Sequence, residues 1–327
     1  MLAGPGGRKP EQAPASHPRD ILNLVLRSAL LYLSRQAWLR HWVETSPITD
    51  RLTRRFVAGQ TLPQETAVIE RLNTEHILAT LDYLGENVSN PEEAAASRDV
   101  YLAALQQIEQ QSLQATVSIK LSQFGMDLST AACQANVDQL VQCAQRIGTR
   151  VEIDMESSEY VDRTLAIVTA MHEKYAGVRA VIQAYLFRSE ADIAALSHRG
   201  IPVRLCKGAY KEPPSAAFQK KTEVDTNYVR LMKQLLDAGT DPAIASHDEK
   251  MIEQALAHVR TKSIAADRFE FQMLYGIRRD LQRRLVKDGF RMRVYVPYGD
   301  AWYPYFMRRL AERPANMVFL ARNLLRR

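Results

Sequence analysis

Cysteine is scarce in this sequence and does not occur at any familiar spacing. The three cysteines, Cys133, Cys143 and Cys206, form neither a CxxC motif nor a zinc-ligand pattern. An odd number of cysteines without a signal peptide indicates a reducing compartment, where thiols stay free. The sequence therefore argues against a disulfide-stabilised secreted scaffold, and we expect a cytoplasmic protein with buried thiols.

Long apolar runs and several common motifs are also missing. The longest run near the start, ILNLVLRSALLYL, contains Arg27 and is shorter than the roughly 20 residues of a membrane-spanning helix. We therefore predict no transmembrane helix. The sequence has no GxGxxG, Walker A, GxSxG or HExxH motif. A Rossmann dinucleotide fold, a P-loop and the common hydrolase and zincin sites thus lack support.

Positive charge is what the sequence has in excess. The formal net charge is +6 and the pI is near 9.2. This balance favours anionic partners such as nucleic acid, a phosphate-bearing cofactor, a carboxylate substrate or an acidic membrane surface. With 327 residues, of which 46% are hydrophobic, the chain can build a large core in one or two domains.

Three segments can be separated along the chain. Residues 1–19 are rich in Gly, Pro and Ala without apolar periodicity, which predicts a disordered tail. Residues 20–75 carry apolar positions at helical spacing and predict an N-terminal helical segment. Residues 76–327 are predicted to form a barrel domain, because short apolar runs alternate there with longer helical stretches. The runs are HILATLDYLG, TVSIKLS, RVEIDME, RAVIQAYL, PVRLCKGAY, PAIASHD, FEFQMLY and MRVYVPYG.

Eight apolar runs that alternate with helices predict a (β/α)8 barrel. The helical stretches begin with Ser, Thr or Asp caps. An open doubly wound sheet is the alternative fold. A barrel gathers the carboxyl ends of its strands at one rim, where active sites lie. This rim offers Asp82, Glu86, Lys120, Asp154, Glu156, Gln183, Tyr185, Arg204, Lys207, Tyr210, Ser246, His247, Asp248, Gln272 and Tyr295.

Charged residues within the apolar strands need partners, because an unpaired buried charge is costly. Lys120, Asp154 and Arg204 must therefore pair with one another in a structural network or bind a ligand. Asp154 with Glu156 leaves a metal site as a further alternative.

Other rim residues have two interpretations each. Lys207 is a Schiff-base lysine if burial favours its neutral form, whereas the following Gly208 indicates a backbone brought close to a ligand. His247 is either a general base or a structural group. The rim tyrosines are either core rings or a surface for a flat cofactor.

Nine segments resemble, in order, those of one family, proline dehydrogenase, the flavin enzyme that oxidises L-proline to Δ1-pyrroline-5-carboxylate. The segments cover about residues 80–313. The resemblance implies a distorted (β/α)8 TIM-type barrel that holds FAD non-covalently, with the last helix over the barrel mouth. The segments are LDYLGE, SIKLS, EIDME, IQAYL, RLCKGAY, ASHD, FQMLYG, YVPYG and YPYFMRRLAER.

The same resemblance implies a substrate site. Arg308 and Arg309 would clamp the proline carboxylate, with Lys120 as a third cation. Glu312 would orient an arginine, and tyrosines would pack around the pyrrolidine ring. The implied substrate-binding residues are Lys120, Tyr210, Leu274, Tyr295, Tyr305, Arg308, Arg309 and Glu312.

A cofactor site is implied as well, without a metal. Arg204 would lie near flavin N5 and stabilise the negative charge of reduction, and Asp154 would order Lys120 and Arg204. Asp154 and Arg204 are thus the implied catalytic residues. The implied FAD-binding residues are Met155, Gln183, Arg204, Lys207, Gly208, Ala209, Ser246 and His247.

The implied reaction is hydride transfer from proline C5 to flavin N5, with electrons passed to a membrane quinone. The chain resembles the monofunctional bacterial form, cytoplasmic or peripheral on the inner membrane, whose product goes to a separate pyrroline-5-carboxylate dehydrogenase. No nucleic-acid partner is expected. The alternatives are a Schiff-base lyase on Lys207 or Lys120 and a nucleic-acid-binding protein that uses the positive charge.

Three stretches depart from the family pattern. Cys206 replaces an aliphatic residue, and KEP at 211–213 stands where an aromatic residue is common. Both changes affect the flavin environment or pocket access. SQFGMD at 122–127 differs from the usual small-residue version, which leaves the substrate-side loop undefined.

Overall fold

Eight parallel strands close into a barrel in the computed structural model of this chain, which describes residues 55–85 and 87–311, and only the backbone of 308–311. Each strand pairs with the next, and the last pairs with the first. The predicted (β/α)8 barrel is confirmed, and the open-sheet alternative is wrong. The strands are β1 (Leu78–Tyr83), β2 (Ala115–Ile119), β3 (Val151–Ile153), β4 (Val178–Gln183), β5 (Val203–Cys206), β6 (Ala243–Ala245), β7 (Glu270–Leu274) and β8 (Met292–Tyr298).

The helices alternate with these strands, and some of them begin with the predicted kind of cap, whereas the helices that follow Tyr160 and Arg188 have no side-chain cap. The Ser129 hydroxyl accepts a hydrogen bond from the Ala132 N–H (3.3 Å), and the Asp248 carboxylate accepts one from the Lys250 N–H (3.1 Å). Such caps satisfy N–H groups that have no partner within the helix. The helices are α1 (Leu62–Thr74), α2 (Pro91–Gln110), α3 (Thr130–Arg146), α4 (Val161–Tyr175), α5 (Ser189–His198), α6 (Lys221–Ala238), α7 (Glu249–Thr261), α8 (Arg279–Lys287) and α9 (Trp302–Ala311).

Helix α1 precedes the first strand and packs against both β1 and β8. The Arg71 guanidinium donates to the Tyr275 hydroxyl (3.1 Å), and the Asn73 amide donates to the Ile77 carbonyl (2.9 Å). Helix α1 lies within the predicted N-terminal helical segment, whose described residues 55–61 are irregular. Residues 20–54 of that segment and the predicted tail at 1–19 lie outside the described residues.

The barrel unit comprises Thr53–Trp302. From Tyr303 the chain belongs to a second unit, of which the structure describes α9 as far as Ala311. A last helix thus forms where it is predicted, and its location over the barrel mouth stays a prediction. Within the described part of the chain, no helix is both long and apolar enough to cross a membrane.

The strands alternate apolar and polar side chains. In β2, Val117 and Ile119 are fully buried in the hydrophobic core. Thr116 and Ser118 alternate with them in sequence and instead hydrogen-bond to side chains of other strands. Successive side chains of a strand point to opposite faces. The helices therefore cover the apolar face, and the polar face lines the barrel interior.

Helix α1 also buries a carboxylic acid. Glu65 is fully buried, and neither carboxyl oxygen has a hydrogen-bond partner among the described residues. Burial raises the pKa of Glu65 well above its ordinary value of 4.5, and the nearby Asp82 carboxylate raises it further. Glu65 therefore keeps its proton at pH values where an exposed glutamate is ionised.

We expect Glu65→Gln to stabilise the protein, with a gain that grows with pH. Because the pKa is higher in the folded state, the bound proton contributes stability below about pH 4.5 that is lost as the pH rises toward the folded-state pKa. Between these two pH values the protein loses about 1.4 kcal/mol of stability per pH unit. A neutral glutamine amide at this position does not titrate and avoids that loss.

Urea unfolding at several pH values above that point measures the difference. Glu70→Gln, on the exposed face of α1, is the matched control and should show no such trend. A gain from Glu65→Gln that is constant with pH would contradict the raised pKa.

Candidate active site

Charged side chains fill the barrel interior below the rim. The Arg179 guanidinium lies 2.5 Å from the Glu270 carboxylate and 3.4 Å from that of Glu152, and all three side chains are fully buried. The Arg293 guanidinium lies 2.9 Å from Glu270. Burial raises the pKa of Glu152, but the charges of Arg179 and Arg204 outweigh it and hold the pKa below its usual value. The interior is therefore a network of ionised groups.

Asp154 is the centre of the cluster at the rim. Its Oδ1 accepts hydrogen bonds from the Arg204 guanidinium and from the Ser118 hydroxyl (2.9 Å). Its Oδ2 accepts one from the Tyr295 hydroxyl (2.8 Å) and lies 3.7 Å from the Lys120 ammonium. The predicted trio of Lys120, Asp154 and Arg204 is therefore brought together from β5 and from the residues that follow β2 and β3.

Arg204 connects this cluster to the interior network. Its Nη1 lies 3.3 Å from both the Glu152 carboxylate and the Gln272 amide oxygen, and its guanidinium carbon lies 5.3 Å from the centre of the Tyr295 ring. Burial lowers the pKa of Arg204, but Asp154 and Glu152 outweigh it and raise the pKa above its ordinary value. The Arg204 Nε is buried and has no hydrogen-bond partner among the described residues. Arg204 is thus a fixed cation with one donor left.

Lys120 lies between two carboxylates. Its ammonium is 3.2 Å from Asp82 and 3.7 Å from Asp154. Burial raises the pKa of Asp82, Lys120 partly offsets this, and the negative Asp154 adds to it. Loss of solvent and the neighbouring Asp154 raise the pKa of Tyr295 well above its usual range. Two carboxylates favour the ammonium form of Lys120, which argues against Schiff-base chemistry on it.

The Lys207 ammonium is paired in the same way. It lies 2.5 Å from the Asp225 carboxylate and 3.0 Å from that of Asp248. Lys207 is also partly exposed. A Schiff-base lysine needs a neutral amine, usually in an apolar pocket. The geometry therefore argues against Schiff-base chemistry on Lys207.

Gln183 joins two neighbouring loops at the rim. Its amide nitrogen donates to the carbonyl oxygens of Met155 (3.4 Å) and Glu156 (2.8 Å), and its amide oxygen accepts from the Ala209 N–H (3.0 Å). These contacts connect the residues after β3 with the turn after β5. Tyr210, half-buried, follows that turn.

Gly208 lies close to a tyrosine ring of this chain, whereas the predicted approach of its backbone to a ligand stays a prediction. Gly208 has a φ of +130°, and a Cβ at this position would lie 2.4 Å from Cδ1 of Tyr185. The Tyr185 N–H donates to the Lys207 carbonyl (2.9 Å). Glycine is therefore required both by the backbone conformation and by the packing of Tyr185.

His247 accepts a backbone hydrogen bond. Its Nε2 receives the Leu274 N–H at 2.8 Å, so this nitrogen carries no proton. Ser246, buried beside it, accepts a hydrogen bond from the Asp248 N–H at 3.1 Å. These contacts support the structural interpretation of His247, which links the residues after β6 to the end of β7.

Glu156 does not pair with Asp154. Its carboxylate accepts the Ser122 N–H (2.9 Å) and the Ser122 hydroxyl (2.5 Å) instead. Within residues 55–85 and 87–311, no group of three or more His, Cys, Asp or Glu side chains is arranged to hold a metal ion. The structure therefore gives the metal alternative no support.

Residues of α9 complete the predicted substrate set. Tyr305, Arg308 and Arg309 lie in this helix. The side chains of Arg308 and Arg309 are not described, and Glu312 lies outside the described residues. Their contacts with substrate stay predictions.

Sequence reasoning missed several residues of the network. Glu152 lies two residues before Asp154, and Arg293 two residues before Tyr295, so each shares the inward face with a predicted residue. The same alternation applied to every strand would have found the whole set, which is Ser118, Glu152, Arg179, Glu270 and Arg293.

The fold and the site define a (β/α)8-barrel enzyme with its polar centre at the carboxyl ends of the strands. The family model of proline dehydrogenase matches residues 66–322. Proline dehydrogenase 1 of Bacillus subtilis (strain 168) is 38% identical over 303 residues, which is 93% of this chain and 100% of that protein. Proline dehydrogenase of Deinococcus radiodurans is 37% identical over 284 residues, 84% of this chain and 90% of that protein.

This chain therefore belongs to the proline dehydrogenase family. It is an oxidoreductase that acts on proline, in the first step of proline catabolism. Membership of the family implies a flavin cofactor.

A solved structure has the same fold. Proline utilization A from Bdellovibrio bacteriovorus, inactivated by N-propargylglycine, superposes with a TM-score of 0.77 at 23% identity. The match covers 90% of this chain and 37% of that protein. The barrel is thus shared at low sequence identity.

We expect Gly208→Ala to lower the free energy of unfolding by on the order of 2 kcal/mol or more, because the methyl group meets Tyr185 and the backbone is strained. Gly289→Ala is the matched control, since Gly289 also has a positive φ (+86°) but has no atom within 4 Å of the added Cβ. Urea unfolding compares the two variants. Equal losses of stability in the two variants would show that the clash with Tyr185 contributes nothing. In a Tyr185→Leu background, the stability loss from Gly208→Ala should approach that from Gly289→Ala.

Proposed function

We propose that this chain oxidises L-proline to Δ1-pyrroline-5-carboxylate with FAD as its cofactor. The chemistry that bound FAD would supply is redox chemistry, with hydride transfer from proline C5 to flavin N5 and onward transfer of the electrons to a quinone. The main support is the cluster around Asp154, which places the cations Lys120 and Arg204 at the rim. Tyr295 is fixed between them by its hydrogen bond to Asp154.

The described residues fit a flavin. Arg204 is held as a cation, and its Nε has a free donor among the described residues. Such a cation stabilises the negative charge that a reduced flavin carries. The backbone at Gly208 and Ala209 is exposed on the turn after β5. The residues that would hold FAD are Met155, Gln183, Arg204, Lys207, Gly208, Ala209, Ser246 and His247.

On the substrate side, Lys120 would attract the proline carboxylate. Its ammonium is positioned by Asp82 and Asp154, so little conformational entropy is lost when the carboxylate binds. Asp154 also holds Arg204 in place, which makes it a positioning residue for both cations. Leu274 and Tyr210 would contribute contacts around the ring and the pocket entrance. Proline would react as the neutral amine.

Helix α9 would complete the pocket from above the barrel. Arg308 and Arg309 would clamp the carboxylate, Glu312 would orient an arginine, and Tyr305 would pack on the pyrrolidine ring. Helix α1 already packs against β1 and β8, where the eighth helix of a regular barrel packs. This supports a different location for the last helix.

The electron acceptor and the cellular location complete the proposal. A membrane quinone would take the electrons, and the cytoplasmic enzyme would touch the inner membrane peripherally through basic surface residues. A separate pyrroline-5-carboxylate dehydrogenase would take the product, and residues 76–327 would act as the catalytic domain behind the helical segment and tail.

The visible spectrum of the purified protein tests this function. We expect a yellow protein with flavin absorbance that bleaches on anaerobic addition of L-proline, and release of FAD on denaturation. Borohydride added with a keto acid should trap no stoichiometric adduct, because the lyase alternative requires a carbonyl substrate. A colourless protein, or a covalent adduct on Lys207 or Lys120, would favour the Schiff-base lyase instead.

Arg308→Met and Arg309→Met should each weaken proline binding by about 2–5 kcal/mol, because each would remove one partner of a buried charged contact. Flavin should stay bound in both variants. Arg279→Met, which changes an exposed arginine of α8, is the control and should bind proline normally. Steady-state and equilibrium binding measurements with proline test this, and an unchanged proline affinity in both variants would exclude the clamp.

A further inference from the structure

Glu212 lies in the stretch after β5 that departs from the family pattern, and it reaches across to the loop after β3. Its Oε1 accepts the Ser158 N–H at 2.7 Å, and its Oε2 accepts a hydrogen bond from the Ser158 hydroxyl. Glu212 is 8% exposed. A carboxylate held by two donors and shielded from water makes a strong, oriented contact.

Ser158 begins a short 3₁₀ helix, Ser158–Tyr160, that leads directly into α4. N–H groups at such a start have no partner within the helix, and the local dipole favours an anion there. Glu212 supplies both the acceptor and the charge. The contact therefore fixes the loop after β5 to a rigid element of the neighbouring wall.

The same carboxylate also contacts the residue that supports the turn at 207–209. The Tyr185 hydroxyl lies 3.4 Å from Oε1 of Glu212, and the ring of Tyr185 packs against Gly208. The Tyr185 N–H donates to the Lys207 carbonyl at 2.9 Å. Tyr185 thus lies between the turn and Glu212. A shift of the Glu212 side chain would displace the Tyr185 ring and, with it, the backbone of the turn.

The turn is otherwise held at its two ends. Lys207 is paired with Asp225 and Asp248, and the Ala209 N–H is bound by Gln183. Beyond Ala209, Glu212 anchors the loop to the residues after β3. Without Glu212, the loop loses this anchor, and the Tyr185 hydroxyl loses one of its polar partners.

The structure assigns Glu212, through Ser158 and Tyr185, as a positioning residue for the flavin-holding turn at Lys207, Gly208 and Ala209. This inference rests on the proposed function, since that function places FAD at this turn. Glu212 does not touch the cofactor in this assignment. Glu212 instead fixes the backbone that would contact FAD. Removal of its carboxylate should therefore weaken FAD binding more than it destabilises the apoprotein.

Titration of apoprotein with FAD, followed by flavin fluorescence and by visible circular dichroism, tests the assignment. We expect Glu212→Ala to raise the Kd for FAD at least tenfold and to alter the visible dichroism of the bound flavin. Ser158→Ala should raise the Kd less, because it removes the hydroxyl donor and keeps the backbone N–H donor. The double variant should be no weaker than Glu212→Ala alone, because the Ser158 hydroxyl acts only through Glu212. Glu212→Gln, which keeps the size without the charge, should be intermediate.

Glu223→Ala is the matched control, since Glu223 lies nearby at the start of α6 and makes a 3.6 Å surface contact with Lys220. It should bind FAD as the wild type does. Urea unfolding of each apoprotein separates folding from cofactor binding. Unchanged FAD affinity in Glu212→Ala and Ser158→Ala, or effects that multiply in the double variant, would overturn the assignment alone. Wild-type protein that binds no flavin would overturn the proposed function and the assignment with it.

Discussion

The ion pair between Asp154 and Arg204 joins the two parts of the barrel interior. Below it, Arg204 contacts Glu152, which pairs with Arg179. Above it, Asp154 holds Lys120 and Tyr295. Three guanidinium groups and three carboxylates share this interior, so their formal charges cancel; they are Arg179, Arg204, Arg293, Glu152, Asp154 and Glu270. Removal of one member would leave an uncompensated buried charge, which costs far more than the pair contributes.

Side-chain contacts between neighbouring loops give the rim its rigidity. Glu156 ties the loop after β3 to that after β2. Gln183 and Glu212 connect the loop after β3 to the loop after β5. Lys207 connects the loop after β5 to the residues after β6. His247 connects the residues after β6 to β7. A site built from seven different strands needs such contacts, because catalytic groups must be held in productive geometry before substrate arrives.

The fold could be predicted from the sequence because eight apolar runs alternate with stretches of helical periodicity. The trio of Lys120, Asp154 and Arg204 could be predicted because each interrupts such a run. The further partners of the two lysines could not be predicted, since Asp82 and Asp225 approach them from another strand and a helix. The contact of Gly208 with Tyr185 could not be predicted either, because the sequence indicated a backbone close to a ligand and not to a tyrosine of this chain. The burial of Glu65 could not be predicted, because a glutamate in the first turn of a helix is usually at the surface.

Helix α1 and strand β8 are contact partners separated by more than 200 residues of chain. At ribosomal rates of about 5–20 residues per second, β8 emerges roughly 10–40 seconds after α1. During that interval the apolar face of α1, with Ile69 and Leu72, has no complete surface to bury against. The closing seam of this barrel is therefore a long-range contact, which slows folding and exposes the nascent chain to aggregation. Chaperone demand during synthesis follows directly from where this one helix is encoded.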